Sequence, residues 1–208
     1  MKRVFWILTA VLLLLSGCMA PAQGGNPMQY RVIAGDVNDL APLVEALGID
    51  EEKVIENSFS TVYILGDSPL PNNSVGDEII IDHVVEGEAC RLDYIVGRDS
   101  LNNLTDKTVR SSSGTGQKTN HFWDTGDIAV DADLLSVALG FRVDEEVCVS
   151  DPLWVEVEAG GQVFTITVPV CVKYTFDIYR RDPLGRRKLV GAGSAYRVLG
   201  FQTIAYAL

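Results

Sequence analysis

The 208-residue chain is poor in the residues that carry most catalytic and cofactor chemistry. It holds two histidines, His83 and His121, and four cysteines without a single Cys-x-x-Cys pair. That excludes thiol-redox motifs, cysteine-held zinc and attached haem. No Gly-x-Ser-x-Gly, His-Glu-x-x-His or phosphate-cradling glycine loop occurs. Asp124, Asp127, Asp131 and Asp133 lack the spacing of a calcium loop. Neither a catalytic residue, a metal ligand nor a cofactor is assigned, and His83, inside an apolar run, reads as an ordinary strand residue. Cations are scarce as well, 17 Lys and Arg against 28 Asp and Glu, for a net charge of −11. Such a surface repels phosphate and argues against a nucleic-acid partner. The one long apolar run, Val4 to Leu15, is too short to cross a bilayer, which takes about 20 apolar residues.

That run follows Met1-Lys2-Arg3 and exits through Leu15-Ser16-Gly17-Cys18. Cationic start, apolar core and small-residue exit form a secretory signal peptide. The exit resembles the lipobox of bacterial lipoproteins, in which the cysteine thiol takes a diacylglyceryl group and becomes the mature N-terminus. The resemblance implies that Cys18 is lipidated, with palmitate-type chains contributing about 0.8 kcal/mol per buried methylene. It also implies an exported protein anchored to a bacterial membrane at the cell envelope. Met19 after the cysteine is similar to outer-membrane lipoproteins, on the periplasmic or surface side, if the cell has two membranes. Ordinary cleavage after Ala22 is the alternative. Loss of Lys2 and Arg3 with the signal peptide takes the net charge to −13.

Four regions follow: signal peptide 1–17, anchor and flexible tether 18–29, a small α/β segment 30–66, and a β-rich domain 67–208. In the third, residues 30–35 read as a strand. Asp36 or Asn38 can cap a helix ending at Gly48, Asp50 can cap a second helix, and 59–66 read as a strand. In the fourth, residues 77–85 and 90–97 flank Glu86-Gly87-Glu88 as a hairpin, and 99–121 read as a long polar loop. Asp131 caps a helix stopped by Gly140. Residues 153–168 alternate about Gly160-Gly161, which predicts a hairpin pairing Val157 with Phe164, Val155 with Ile166 and Leu153 with Val168. A second hairpin turns at Asp182–Gly185, and 201–208 form an apolar strand. The fold class is mainly β, an antiparallel β-sandwich or barrel-like domain with a small N-terminal α/β segment.

After lipidation three cysteines remain, so at most one bridge forms. The Gly160-Gly161 register sets Cys148 and Cys171 diagonally on one face. Diagonal neighbours lie about 7–8 Å apart, slightly beyond disulfide reach, and a bulge at the flanking prolines closes the gap. Cys148–Cys171 is therefore the candidate disulfide bond, with Cys90 free.

Two binding features stand out. Tyr30-x-Val32-x-x-Gly35-Asp36, Leu40-Ala41, Gly48-Ile49, Val54 and Asn57 resemble a LysM module, a βααβ unit that binds N-acetylglucosamine-containing glycans. The resemblance implies a glycan groove around Gly35, Asp36, Ile49 and Asp50; a generic cap on the β domain is the alternative. Around the second hairpin turn, Arg180, Arg181, Arg186, Arg187 and Lys188 gather cations on an acidic protein. They offer a docking point for an anionic headgroup, an anionic polymer or an acidic partner surface, a second copy included. A solvated hairpin end, partly neutralised by Asp177 and Asp182, is the plainer alternative. The expected function is a non-catalytic binding or assembly module, with cell-wall glycan attachment second and an envelope hydrolase third.

Overall fold

A computed structural model describes residues 30–55, 60–63, 69–70, 78–113, 117–149 and 153–208. The signal peptide, Cys18 and the tether lie outside the described residues. In chain order the elements are β1 (Val32–Ile33), α1 (Ala41–Leu47), a 3-10 turn (Glu51–Lys53), β2 (Ser60–Tyr63), β3 (Ile79–Leu92) and β4 (Gly97–Asn102). Then come β5 (Val109–Ser112), β6 (Gln117–Asn120), β7 (Phe122–Asp124), α2 (Ala132–Leu139), β8 (Glu146–Val149), β9 (Trp154–Val157), β10 (Gln162–Arg181) and β11 (Arg187–Ala207). The protein is mainly β, with antiparallel sheets.

β10 and β11 form one long hairpin around Asp182–Gly185, as the turn chemistry predicts. Gly185 has φ +77 and donates to the Asp182 carbonyl at 2.8 Å. The apolar terminal residues are the last third of β11. Around this hairpin the main sheet runs β1-β3-β10-β11-β2, with β4 also on β10 and β7 also on β11. Smaller sheets pair β5 with β9 and β6 with β8.

Successive strand residues point to opposite faces, and at its start the hairpin is covered on both. Val163 and Ala205 pack against Leu153, Val155 and Val157 of the β9 region. Ile166, Val168 and Ile204 pack against Leu43 and Val44 of α1. Double coverage explains why Ile166 to Val172 is buried without interruption. Further along, α2 brings Leu135 and Leu139 onto Val172, Tyr174, Phe176 and Ile178. Both helices stop where glycine permits a left-handed backbone, Gly48 at φ +66 and Gly140 at φ +80. Asp131 caps α2, accepting from the amides of Asp133 and Leu134.

Three expectations about strands need correction. β9 does not pair with β10. The turn forms, with Gly161 donating to the Glu158 carbonyl at 2.9 Å, but β9 crosses to β5, setting Val157 against Val109 and Trp154 against Ser112. β10 takes β4 and β11 instead. Val155 and Val157 are buried and Trp154 is exposed, the face that the alternation predicts, on a different partner strand. Residues 79–92 are one strand, not a hairpin. Against β10, β3 carries one extra residue at Gly87-Glu88 and another at His83-Val84, so the Glu-Gly-Glu signal marks a bulge. A Cβ on Gly87 would sit 3.1 Å from the Lys173 carbonyl. The region 99–121 holds β4, β5 and β6 rather than one long loop. In the 30–66 segment, β1 joins β3 while β2 joins β11 at the far edge. The 30–66 segment therefore has its strand-helix-turn-strand order without a sheet of its own.

The cysteine geometry changes with the register. Cys148 lies exposed on β8, its Sγ 3.7 Å from Glu146 Oε1. On β3 the residue opposite buried Cys171 is Cys90, and Cys148 is not the diagonal neighbour that the unbroken register set beside it.

Candidate functional site

The candidate site is the free end of the β10–β11 hairpin together with β3 alongside it. Asp182 organises the turn: its Oδ1 accepts from the amides of Leu184 and Arg186, and its Oδ2 from Arg186 Nε at 2.9 Å. The Arg186 amide, with the Arg186 guanidinium behind it, holds the Asp182 carboxyl below the usual range.

The last two rungs set cation against cation, Arg180 opposite Lys188 and Arg181 opposite Arg187. Like charges directly opposite destabilise a sheet, and acids in and just before β3 offset one member of each pair. Glu78 Oε1 lies 3.3 Å from Arg180 Nε, and Asp82 Oδ2 lies 3.0 Å from Arg187 Nη1. Arg181 and Lys188 have no ion-pair partner among the described residues. Both line a cavity of about 580 Å³, together with Glu78, Arg180, Pro183 and Val190. Leu184 and Leu189 stand exposed beside it, 76% and 53%.

Sequence reasoning missed the group next to this end. His83 is exposed on its bulge with φ +51, a region that few non-glycine residues adopt. Its Nδ1 lies 2.8 Å from Asp177 Oδ2 and 3.2 Å from the Tyr179 hydroxyl. Tyr179 also donates to Asp177 at 3.3 Å. The Asp177 hydrogen bond, with Asp82 nearby, pushes the imidazole above its ordinary value. Asp177 and Tyr179, two apart on one face of β10, were the available signal; the ninety-odd residues separating them from His83 hid the third member. Such a group holds a proton and can exchange it with solvent.

The other histidine is structural. His121 is buried, accepts the Val198 amide at Nδ1 (2.9 Å) and meets Phe141 edge-on.

The residues implied by the LysM resemblance stand at opposite ends of α1. Gly35 has φ +110 and packs against Pro42, and Asp36 accepts from the Asn38 amide. Ile49 packs into the core under α1, and Asp50 accepts from the Glu52 amide. One concavity in this segment, about 430 Å³, lies between β1 and α1 and is lined by Arg31, Ile33, Pro42, Ala46 and Asp93; another, about 490 Å³, is lined by Leu40, Val44, Glu51, Glu52 and Ile55.

The class defined by these elements is a mainly β protein of antiparallel sheets. No family model matches the chain, and no curated protein matches it either. Among solved structures it is similar to a putative pore-forming toxin from Bacteroides vulgatus, at 12% identity and a TM-score of 0.31, over 64% of this chain and 56% of that one. The match thus spans little more than half of that toxin. It is also similar to the parasporin-2 toxin of Bacillus thuringiensis, described as recognising cancer cells. There the identity is 12% and the TM-score 0.29, over 62% and 68% of the two chains. At these values the likeness assigns neither family nor activity.

Proposed function

We propose that the chain is an exported, lipid-anchored envelope protein that acts as a non-catalytic docking module. On this reading it holds an anionic partner at the membrane surface through the free end of the β10–β11 hairpin. The observation that carries it is the doubled like-charge rung, of which the adjacent acids offset only Arg180 and Arg187. Arg181 and Lys188 remain to meet a negative group from outside, with Leu184 and Leu189 supplying apolar contact at the rim. On an otherwise acidic surface, one cationic point selects the orientation of approach more than it raises affinity. The lipobox resemblance at Cys18 supports the address.

Co-sedimentation tests this, using the full chain with Cys18→Ala so that acylation does not mask the contact. The probes are purified anionic cell-wall polymer and vesicles containing anionic lipid, at low and high salt. Binding at low salt that disappears in Arg181→Glu/Lys188→Glu supports the reading. Absence of binding to both probes, or binding unchanged by the double reversal, overturns it.

A second reading, glycan attachment through the LysM-like segment, is supported by the concavity between β1 and α1. It expects retention on N-acetylglucosamine polymer that is lost when Ala46→Trp fills the space. A chain that fails to bind that polymer ends this reading.

A further inference from the structure

β3 and β10 keep an unbroken antiparallel register over three rungs, Arg91 with Val170, Cys90 with Cys171 and Ala89 with Val172. Directly opposed residues in such a ladder have Cα atoms about 4.5–5.5 Å apart and side chains on the same face. A disulfide needs roughly 4.4–6.8 Å between Cα atoms, so this pairing sets the two backbones at a separation that a bridge can span. The residues around them are apolar and well packed: Leu92, Phe122, Val147, Tyr196 and Val198 enclose Cys171, with Cys90 at the margin. Cys171 is fully buried and Cys90 half-buried. Both are thiols in this structure.

We propose that Cys90 and Cys171 form the protein's intramolecular disulfide, closed by thiol–disulfide exchange with an oxidant of the disulfide class. The half-buried Cys90 reacts first. Its thiolate attacks one sulfur of the oxidant disulfide, giving a mixed disulfide and expelling one thiolate, which takes up a proton. The Cys171 thiolate then attacks Cys90 Sγ and displaces the second oxidant sulfur, also released as a thiol. Two protein thiols lose two electrons and two protons, and one oxidant disulfide becomes two thiols. Burial pushes both protein thiols up, Cys171 the further, so few thiolates are present at neutral pH and closure is slow. Once closed, the bond ties the C-terminal end of β3 to the central strand, just beyond the Gly87-Glu88 bulge and next to the buried Arg91. Exposed Cys148 takes no part.

The test is peptide mapping of the full chain after incubation with oxidised glutathione, unfolding without reductant and alkylation. The expected result is one crosslinked species joining the Cys90 and Cys171 peptides, lighter by two hydrogens than their sum, with Cys148 alkylated. In Cys90→Ser, Cys171 should become fully alkylated and the crosslink should vanish, whether or not that variant folds. A Cys148–Cys171 crosslink overturns the proposal. So does alkylation of both Cys90 and Cys171, which would make them buried apolar thiols, or glutathione retained on Cys90 without closure.

Discussion

Two glycines two residues apart on β11 make the packing testable. In Gly193→Ala, the new Cβ would sit 2.6 Å from Phe176 Cζ and 2.9 Å from the Asp124 carbonyl oxygen. Non-bonded carbons prefer about 3.5–4.0 Å. The ring cannot retreat, because Phe176 is 2% exposed within the α2 core. The backbone cannot either, because Asp124 is paired with Ser194 of the same strand. In Gly191→Ala the new Cβ would meet Ile128 Cδ1 at 2.5 Å and then nothing nearer than 3.8 Å. That methyl ends a flexible, partly buried side chain and can rotate away. Overpacking a fixed site costs about 1–3 kcal/mol, whereas Gly→Ala at a compatible backbone recovers about 0.4–1 kcal/mol from the unfolded chain. Gly193→Ala should therefore lose about 2 kcal/mol net, and Gly191→Ala should stay within about 0.5 kcal/mol of the parent. Urea unfolding followed by tryptophan fluorescence reads the difference, a midpoint drop of about 1 M at a slope of about 2–3 kcal/mol per molar. Phe176→Leu should restore part of the loss in the Gly193→Ala background but not alone, a coupling that a double-mutant cycle detects. Equal losses for the two alanines, or a neutral Gly193→Ala, would refute the packing argument.

Three further outcomes follow from named contacts. Arg91 is fully buried; it donates to Gln202 Oε1 and the Asp36 carbonyl, while its Nε has no partner among the described residues. Arg91→Ala leaves both acceptors and a void, costing about 3–5 kcal/mol, while Arg91→Met keeps the volume and removes a buried charge, costing less; denaturant midpoints in the opposite order would contradict this. Asp177→Asn should bring the His83 midpoint, read by NMR, back down towards the ordinary value of 6.5. A raised folded-state value contributes stability below the unfolded value and loses it as pH rises through the folded one. The substitution should therefore cost more near pH 5 than near pH 9, and an equal cost at both would sink the assignment. Cys18→Ala should release the protein from membranes, with persistence in the membrane fraction after a high-salt wash counting against the lipobox reading.

Elements whose signals are local are legible from the residues alone. Asp131 and Gly140 bound α2, Gly48 ends α1, and Asp182–Gly185 turns the long hairpin, because caps and tight turns are settled by backbone chemistry within a few residues. Alternation also told which face of β9 is buried. What alternation cannot encode is the partner, since a strand with one apolar face satisfies its ladder equally well in its own sheet or in the layer above. Tertiary structure decided that β9 leaves β10 for β5 and stacks over the main sheet, where Val155 and Val157 close the core against Val163 and Ala205. It also decided that Gly87 marks a bulge, and that Asp177 and Tyr179 meet a histidine far away in sequence. The same long-range ladder turned Cys171 from Cys148 to Cys90: a two-residue diagonal inferred within one hairpin has no force once that hairpin's strands belong to different sheets.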